Sequence, residues 1–438
     1  MTVGLVLPHL SESDPGFSGE GSLDPLGLAP ISDRLADELA LHVRARMTRI
    51  RFVTAMAAAA STTRDLTELP PGDGVSTPWL VFEWHFVQAL ARERSLPESA
   101  TFGVPGIMKA RAAVARSRGL DARSYLQTPK VFGFHGVFRR LAKSFGVVDD
   151  ETLLGPGADR VLRAWEADQD LEGFADGAPN TTGGRFAASI ATLVRGAYRA
   201  GKVVEPLNSH IWARLVRHLR PDEIGSLERK VLTEWVTSGE LPIQRELLGH
   251  IGKDKSREAL ARGRVREDDF LRAIRQDASR ELSIRLDAID AYEAVCELLE
   301  CALYCMCYIS TAQTSPVDPG TLSDPVLEQA SRALPDAVRR AEERLAELSE
   351  PLLAQFATLA APFAHRLSMG DFIQALIDRH ELVQERKPPR GKAPWFVPFP
   401  EGLRVRPPYF LYDKPEIQQH YVHPYRVYAL ATFLLDLK

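Results

Sequence analysis

Residues 284–310, IRLDAIDAYEAVCELLECALYCMCYIS, run without a glycine or proline and place apolar side chains around most of a helical wheel. A helix that is apolar nearly all round has to be surrounded, so this segment calls for other helices packed on several of its sides. The rest of the chain supplies them. IWARLVRHL at 211–219, IGSLERKVLTEWV at 224–236 and the long stretch 325–367 repeat apolar residues at a helical period. In the last of these, Pro335 and Pro351 stand where helices should start, because proline is tolerated in a first turn. Segment 31–60 reads as one long or two consecutive helices, and Pro78 opens a helix behind a Ser76 or Thr77 cap.

The expected fold class is mainly α: multi-helical bundles, with a helix-turn-helix-like N-terminal part and a small winged-helix-like α+β C-terminal unit. Strands should hold less than about a tenth of the residues, near Leu403–Val405 and Tyr409–Tyr412. The Gly-rich stretch 171–184 is the strongest breaker in composition. It divides the chain into an extended segment 1–30, a helical domain 31–180 with the helix-turn-helix-like helices, a bundle 181–368 and a basic unit 369–438. No repeat of solenoid period is present.

An apolar share of 45%, a charged share of 26% and a net charge of −4 describe an ordinary globular chain. They exclude a histone-like polycation, so any nucleic-acid contact must be a local patch. The N-terminus lacks the basic start of a signal peptide, and no run of about 18 apolar residues is evident, which gives a cytoplasmic protein with no membrane partner as the expectation. The four cysteines, Cys296, Cys301, Cys305 and Cys307, share one helical segment. Lacking a C-x2-C knuckle, they read as buried free thiols without zinc, and no metal or cofactor is expected.

Two stretches concentrate anion-seeking groups. The first follows the amphipathic helix that begins at Met369: Lys387, Arg390, Lys392, Arg404 and Arg406 alternate with Trp395, Phe396, Phe399 and Tyr409. A basic strip with aromatics between the charges suits a polyanion whose bases can stack. The second is PKVFGFHGVFRRLAKSFG at 129–146, with Lys130, Arg139, Arg140 and Lys143 on short helices split by glycines. The bland reading of each, a solvated cation-rich surface, carries about equal weight. His380 lies inside an apolar stripe and His85 among aromatics, positions that favour hydrogen-bonded core histidines over ligands.

No GxSxG elbow, HExxH helix, GxGxxG fingerprint or phosphate loop occurs. The run His380-x6-Lys387-Pro-Pro-x-Gly391-Lys392-x-Pro394-Trp395, with Tyr425-Arg426 and a terminal LLDL, resembles uncharacterised bacterial proteins of phage-defence islands over the last 70 or so residues. The resemblance implies a subunit acting on DNA beside a helicase, nuclease or modification enzyme, and it transfers no catalytic residue. The leading expectation is a non-catalytic DNA-binding or scaffolding subunit with other protein subunits as partners. The alternatives are a nucleic-acid-processing enzyme using His380 as acid or base with Lys387 or Lys392 on a phosphate, and a protein–protein adaptor without nucleic acid.

Overall fold

The computed structural model describes residues 24–204, 210–238, 240–253, 255, 257–387 and 392–438. Among them are nineteen α-helices and one two-stranded antiparallel sheet, so the chain is mainly helical with a little sheet near its C-terminus. It divides into two compact units, each discontinuous in sequence: one holds the N-terminal residues through Glu38 together with Leu271–Tyr425, the other Leu39–Phe270 together with Arg426–Lys438.

The first unit is built on the helix Arg280–Ala312, and Cys296, Cys305 and Cys307 are buried along it. The four cysteines are free thiols, and Cys301 is half-buried rather than buried. Burial pushes the thiols upward, Cys301 to about 11 and Cys305 to about 12, with nearby acids adding to the effect. By length and composition this helix could cross a membrane, which corrects the expectation that no segment could; 67% of its most apolar window is buried within the protein. The helix Pro325–Leu348 packs along it through Leu327, Leu334, Val338, Ala341 and Leu345. Pro335 does not start a helix. It sits inside this one, because the buried stripe runs past it on both sides and outweighs the roughly 3 kcal/mol that an interior proline costs. Pro351 does lie in the first turn of Glu350–Ala360.

The sheet is a hairpin, β1 (Phe396–Phe399) with β2 (Gly402–Val405), registered Phe396 to Val405 and Phe399 to Gly402. Residues 409–412 form no strand; Tyr409 closes a 3-10 turn begun by Pro407 and Pro408. Two prolines in a row leave two missing N–H donors, and the strand opposite Val405 comes from the aromatic residues before the turn instead. Beyond the hairpin, residues 416–425 have no regular structure. The long helix holds them through carboxylates spaced along one face. Glu297 accepts the Gln418 and His420 amides at 2.7 and 3.2 Å, and Glu293 accepts Val422 N–H, His423 N–H, the His423 ring and the Tyr425 hydroxyl at 2.6–3.2 Å.

In the second unit the nearly fully buried helix Phe52–Thr63 packs against Pro78–Arg92, Phe134–Ser144, Ala158–Asp168 and Thr182–Ala200. Phe52, Phe86, Phe134 and Phe138 cluster there with ring centroids 4.9–6.4 Å apart. Arg51, 1% exposed, is fully engaged by Glu228 and the carbonyls of His218 and Arg220. The closing helix Val427–Asp436 packs on Arg257–Ala261 and Pro242–Lys253.

Burial pushes the Glu300 carboxyl of the first unit up to about 7, and the neighbouring charges of Asp24 and Glu293 add to it. The folded chain therefore keeps a proton that the unfolded chain releases near 4.5, so this contribution to stability is complete below that value and lost as pH rises to about 7. His423 has the same sign: burial works against its charge, but Glu293, Glu300 and Asp24 together raise it, and its contribution is lost as pH rises through the raised value. Between pH 5 and 8 the wild type is expected to lose on the order of 2–3 kcal/mol of stability relative to Glu300→Gln. Superimposable pH profiles for wild type and variant, measured by thermal melts, would remove Glu300 as the cause.

Candidate functional site

The basic strip after Met369–Arg386 is largely built into the first unit. His380 is fully buried; its Nδ1–H donates to Pro25 O at 3.0 Å and its Nε2 accepts Trp395 N–H at 2.9 Å. Burial, with Lys387 nearby, lowers its pKa to about 4. A neutral imidazole with both nitrogens bonded to backbone has no lone pair or proton left for acid–base work. Lys387 donates to Asp24 O, and Lys392 is 8% exposed. Trp395 is 6% exposed, stacked on Tyr409 at 4.4 Å and 13° and on Tyr304 at 6.2 Å and 15°. Its faces are already covered by protein rings, so no base can stack there. Arg404 is exposed and Arg406 half-buried, while Arg390 lies outside the described residues.

The second basic stretch is arranged differently. In the second unit, Glu83 on the helix Pro78–Arg92 is fully buried beneath the start of the helix Phe134–Ser144. One oxygen accepts the Tyr125 hydroxyl at 2.6 Å and Phe134 N–H at 3.1 Å; the other accepts His135 N–H at 3.2 Å and His135 Nδ1–H at 3.0 Å. A carboxylate from one helix thus caps the first free amides of another, where the helix dipole also favours negative charge. Gly133 makes the approach possible, since a Cβ there would lie 2.2 Å from the Glu83 oxygen. Gly136 similarly lets the turn carrying Lys130 close over the helix, a Cβ meeting Lys130 backbone at 2.5 Å.

This clasp fixes His135. A carboxylate only accepts, so the neutral ring carries its proton on Nδ1 and presents a lone pair at Nε2. Burial keeps the ring neutral, lowering its pKa against the opposing pull of Glu83. His135 is 2% exposed and its Nε2 has no partner. It lines a 210 Å³ chamber together with Thr77, Trp79, Lys130, Arg139 and residues 150–152. Next to it is a 330 Å³ chamber walled by Trp79, Leu80, Trp84, Tyr125 and Leu126, with Thr77 and Lys130 again on its lining. Trp79, half-buried and 4.9 Å from the His135 ring, belongs to both.

Three further buried polar atoms at this cleft lack partners: Thr77 Oγ1, Trp84 Nε1 and Arg139 Nε. Thr77 is the N-cap residue of Pro78–Arg92, yet its hydroxyl makes no capping bond. Orphaned buried donors and acceptors each cost on the order of 1–3 kcal/mol, so four on residues lining one cleft are a local cost to the fold. Lys130 is exposed at the mouth, whereas Lys143 is paired with the 86%-exposed Asp150. Of the four cations expected in this stretch, Lys130 and Arg139 reach the cleft, and Arg140 and Lys143 do not line it. Sequence reasoning singled out the cations and missed Thr77, Trp79 and Trp84. The available signal was a glutamate inside WLVFEWHF, an apolar helix that had to find donors for it.

In the first unit, Glu293, Cys296 and His423 bring possible ligand atoms within 4.8 Å of one another. The Glu293 oxygens already accept four hydrogen bonds and burial raises the Cys296 thiol well above its usual value, so the trio is held as a hydrogen-bonded clasp. His85 is a core residue, accepting Trp212 Nε1–H at 3.2 Å.

Trp395→Ala should lower stability by about 3–5 kcal/mol, a large-to-small core loss, and leave any nucleic-acid affinity of the folded fraction unchanged. Paired thermal melts and binding titrations test this; lost affinity at an unaltered melting temperature would return Trp395 to the surface role. Compared with known proteins, the chain matches no protein-family model, no curated protein and no solved structure.

Proposed function

We propose that this chain is a non-catalytic nucleic-acid-binding subunit whose contact surface is the cleft of the second unit. The observation that carries the reading is the juxtaposition of exposed Lys130 and half-buried Arg139 with the aromatic wall of Trp79. Phosphates seek such cations and unpaired bases seek such rings. The short helices Pro129–Phe132 and Phe134–Ser144, joined through Gly133, are the elements on which a helix-turn-helix-like contact would rest. The β1–β2 hairpin, with exposed Arg404, is the corresponding element of a winged-helix-like C-terminal part. A role in bacterial phage defence, in the cytoplasm and beside DNA-processing enzymes, rests on the resemblance of the C-terminal run alone.

An adaptor reading is favoured by a different observation. Phe102, just past the short helix Glu98–Thr101, and Met108, on the helix Ile107–Ala115 of the same unit, are 49% and 69% exposed, which suits a protein partner. The enzyme alternative loses its proposed acid–base residue, because both His380 nitrogens are bonded to backbone.

Lys130→Glu with Arg139→Glu should weaken DNA binding whatever the sequence and reduce the salt dependence by about one unit of slope per lost phosphate contact. Filter binding at two salt concentrations, with melts to verify folding, provides the check. Unchanged affinity in a folded double variant removes the cleft from the DNA-binding reading and leaves the adaptor.

A further inference from the structure

From the two joined chambers we infer a site for one unpaired nucleotide, its base in the aromatic chamber against Trp79 and its phosphate at Lys130 and Arg139. This deepens the nucleic-acid reading and rests on it for the polymeric source, but the site itself would equally hold a free nucleoside monophosphate.

The chemistry of the lining selects this class. The larger chamber, 330 Å³, falls at the small end of ligand pockets and is walled mainly by aromatic and aliphatic side chains. A flat ring fills such a space at little conformational cost, and stacking on Trp79 is open to any base. Trp84, fully buried, backs the wall of this chamber. The smaller chamber has the opposite needs. The clasp turns the Nδ1 edge of His135 to Glu83, leaving the neutral ring itself as part of the chamber's lining. Lys130 and Arg139 bring positive charge to the same chamber. Asp150 and Glu151 also line it, but Asp150 is 86% exposed and engaged by Lys143, and Glu151 is exposed. A flat ring joined to an anion describes a nucleotide, whereas a bare phosphate leaves the aromatic chamber empty and a bare base leaves the cations unmatched.

The Glu83 clasp holds this geometry rather than contacting the ligand. Tyr125, His135 and the start of the helix Phe134–Ser144 all hang on one carboxylate, so the aromatic wall and the cationic wall are set at a fixed separation. That is the preorganisation a site needs to recognise two ends of one small molecule.

The test is calorimetric titration of the full chain with thymidine monophosphate, thymidine, inorganic phosphate, a single-stranded dT oligonucleotide and the same oligonucleotide with abasic sites. Thymidine monophosphate should bind at least about tenfold more tightly than thymidine or phosphate. Trp79→Ala should weaken it by about tenfold or more, and Lys130→Gln should weaken the monophosphate but not thymidine. Lys130 is exposed, so that variant stays folded even if Trp79→Ala does not. Monophosphate binding without oligonucleotide binding supports the site, assigns a free nucleotide to it and removes the DNA reading. Oligonucleotide binding that is unchanged by abasic sites, or monophosphate affinity indifferent to both substitutions, overturns the site while leaving the DNA reading standing. Absence of binding by every probe overturns both.

Discussion

Buried carboxylates accepting backbone amides are the interaction on which much of this fold depends. Irregular chain and helix starts both carry N–H groups that no helical or sheet ladder satisfies, and burying them unpaired is costly. Here acidic side chains from neighbouring helices supply the acceptors. Glu83 caps the helix Phe134–Ser144, Asp168 accepts Leu227 and Glu228 N–H at the start of Ser226–Val236, and Glu267 accepts Val427 N–H at the start of Val427–Asp436. Each such contact fixes the end of one helix against the body of another, so helix packing and helix termination become the same event.

The arrangement explains why a chain so rich in helix can carry long irregular connections. Residues 416–425 have no ladder, yet Glu293, Glu297 and Asp290 hold their amides and a tyrosine hydroxyl from one face of the long helix. Ser310 and Thr311 extend the same service to Val405 and Leu411 near the hairpin. A substitution of any of these acids removes several bonds at once, which is why their cost exceeds that of a single hydrogen bond.

Helical periodicity made the fold class legible, along with the central helix, the Pro78 helix start and the β2 strand. Less was legible wherever a long-range partner decides the outcome. Pro335 reads as a breaker because its missing N–H is local, while the stripe that carries the helix past it is tertiary. Trp395 and Lys392 read as a polyanion strip because spacing says nothing of what covers them; both are buried, Trp395 between Tyr409 and Tyr304, the latter on a helix ninety residues earlier. The strip at 130–143 had the right cations, but the aromatic wall comes from residues 75–84, and the glutamate between them gave no sign of which amides it would hold.

The clasps at Glu83 and Glu293 use the same parts: two consecutive backbone amides, the Nδ1 of the histidine that owns the second amide, and a tyrosine hydroxyl. Their histidines are nevertheless shifted in opposite directions. At His135 burial outweighs the single carboxylate and the ring stays neutral, with a lone pair left over for the cleft. At His423 burial pulls the same way, but Glu300 and Asp24 add to the effect of Glu293 and the pKa is raised. The geometry of the motif is therefore indifferent to protonation, because Nδ1–H donates to the carboxylate in either form. What the surroundings select is the direction of the shift: downward where Glu83 is the one carboxylate raising it, upward where three acids converge. A ligand that needs an acceptor beside cations fits the first setting, and the second is suited to holding a chain segment in place.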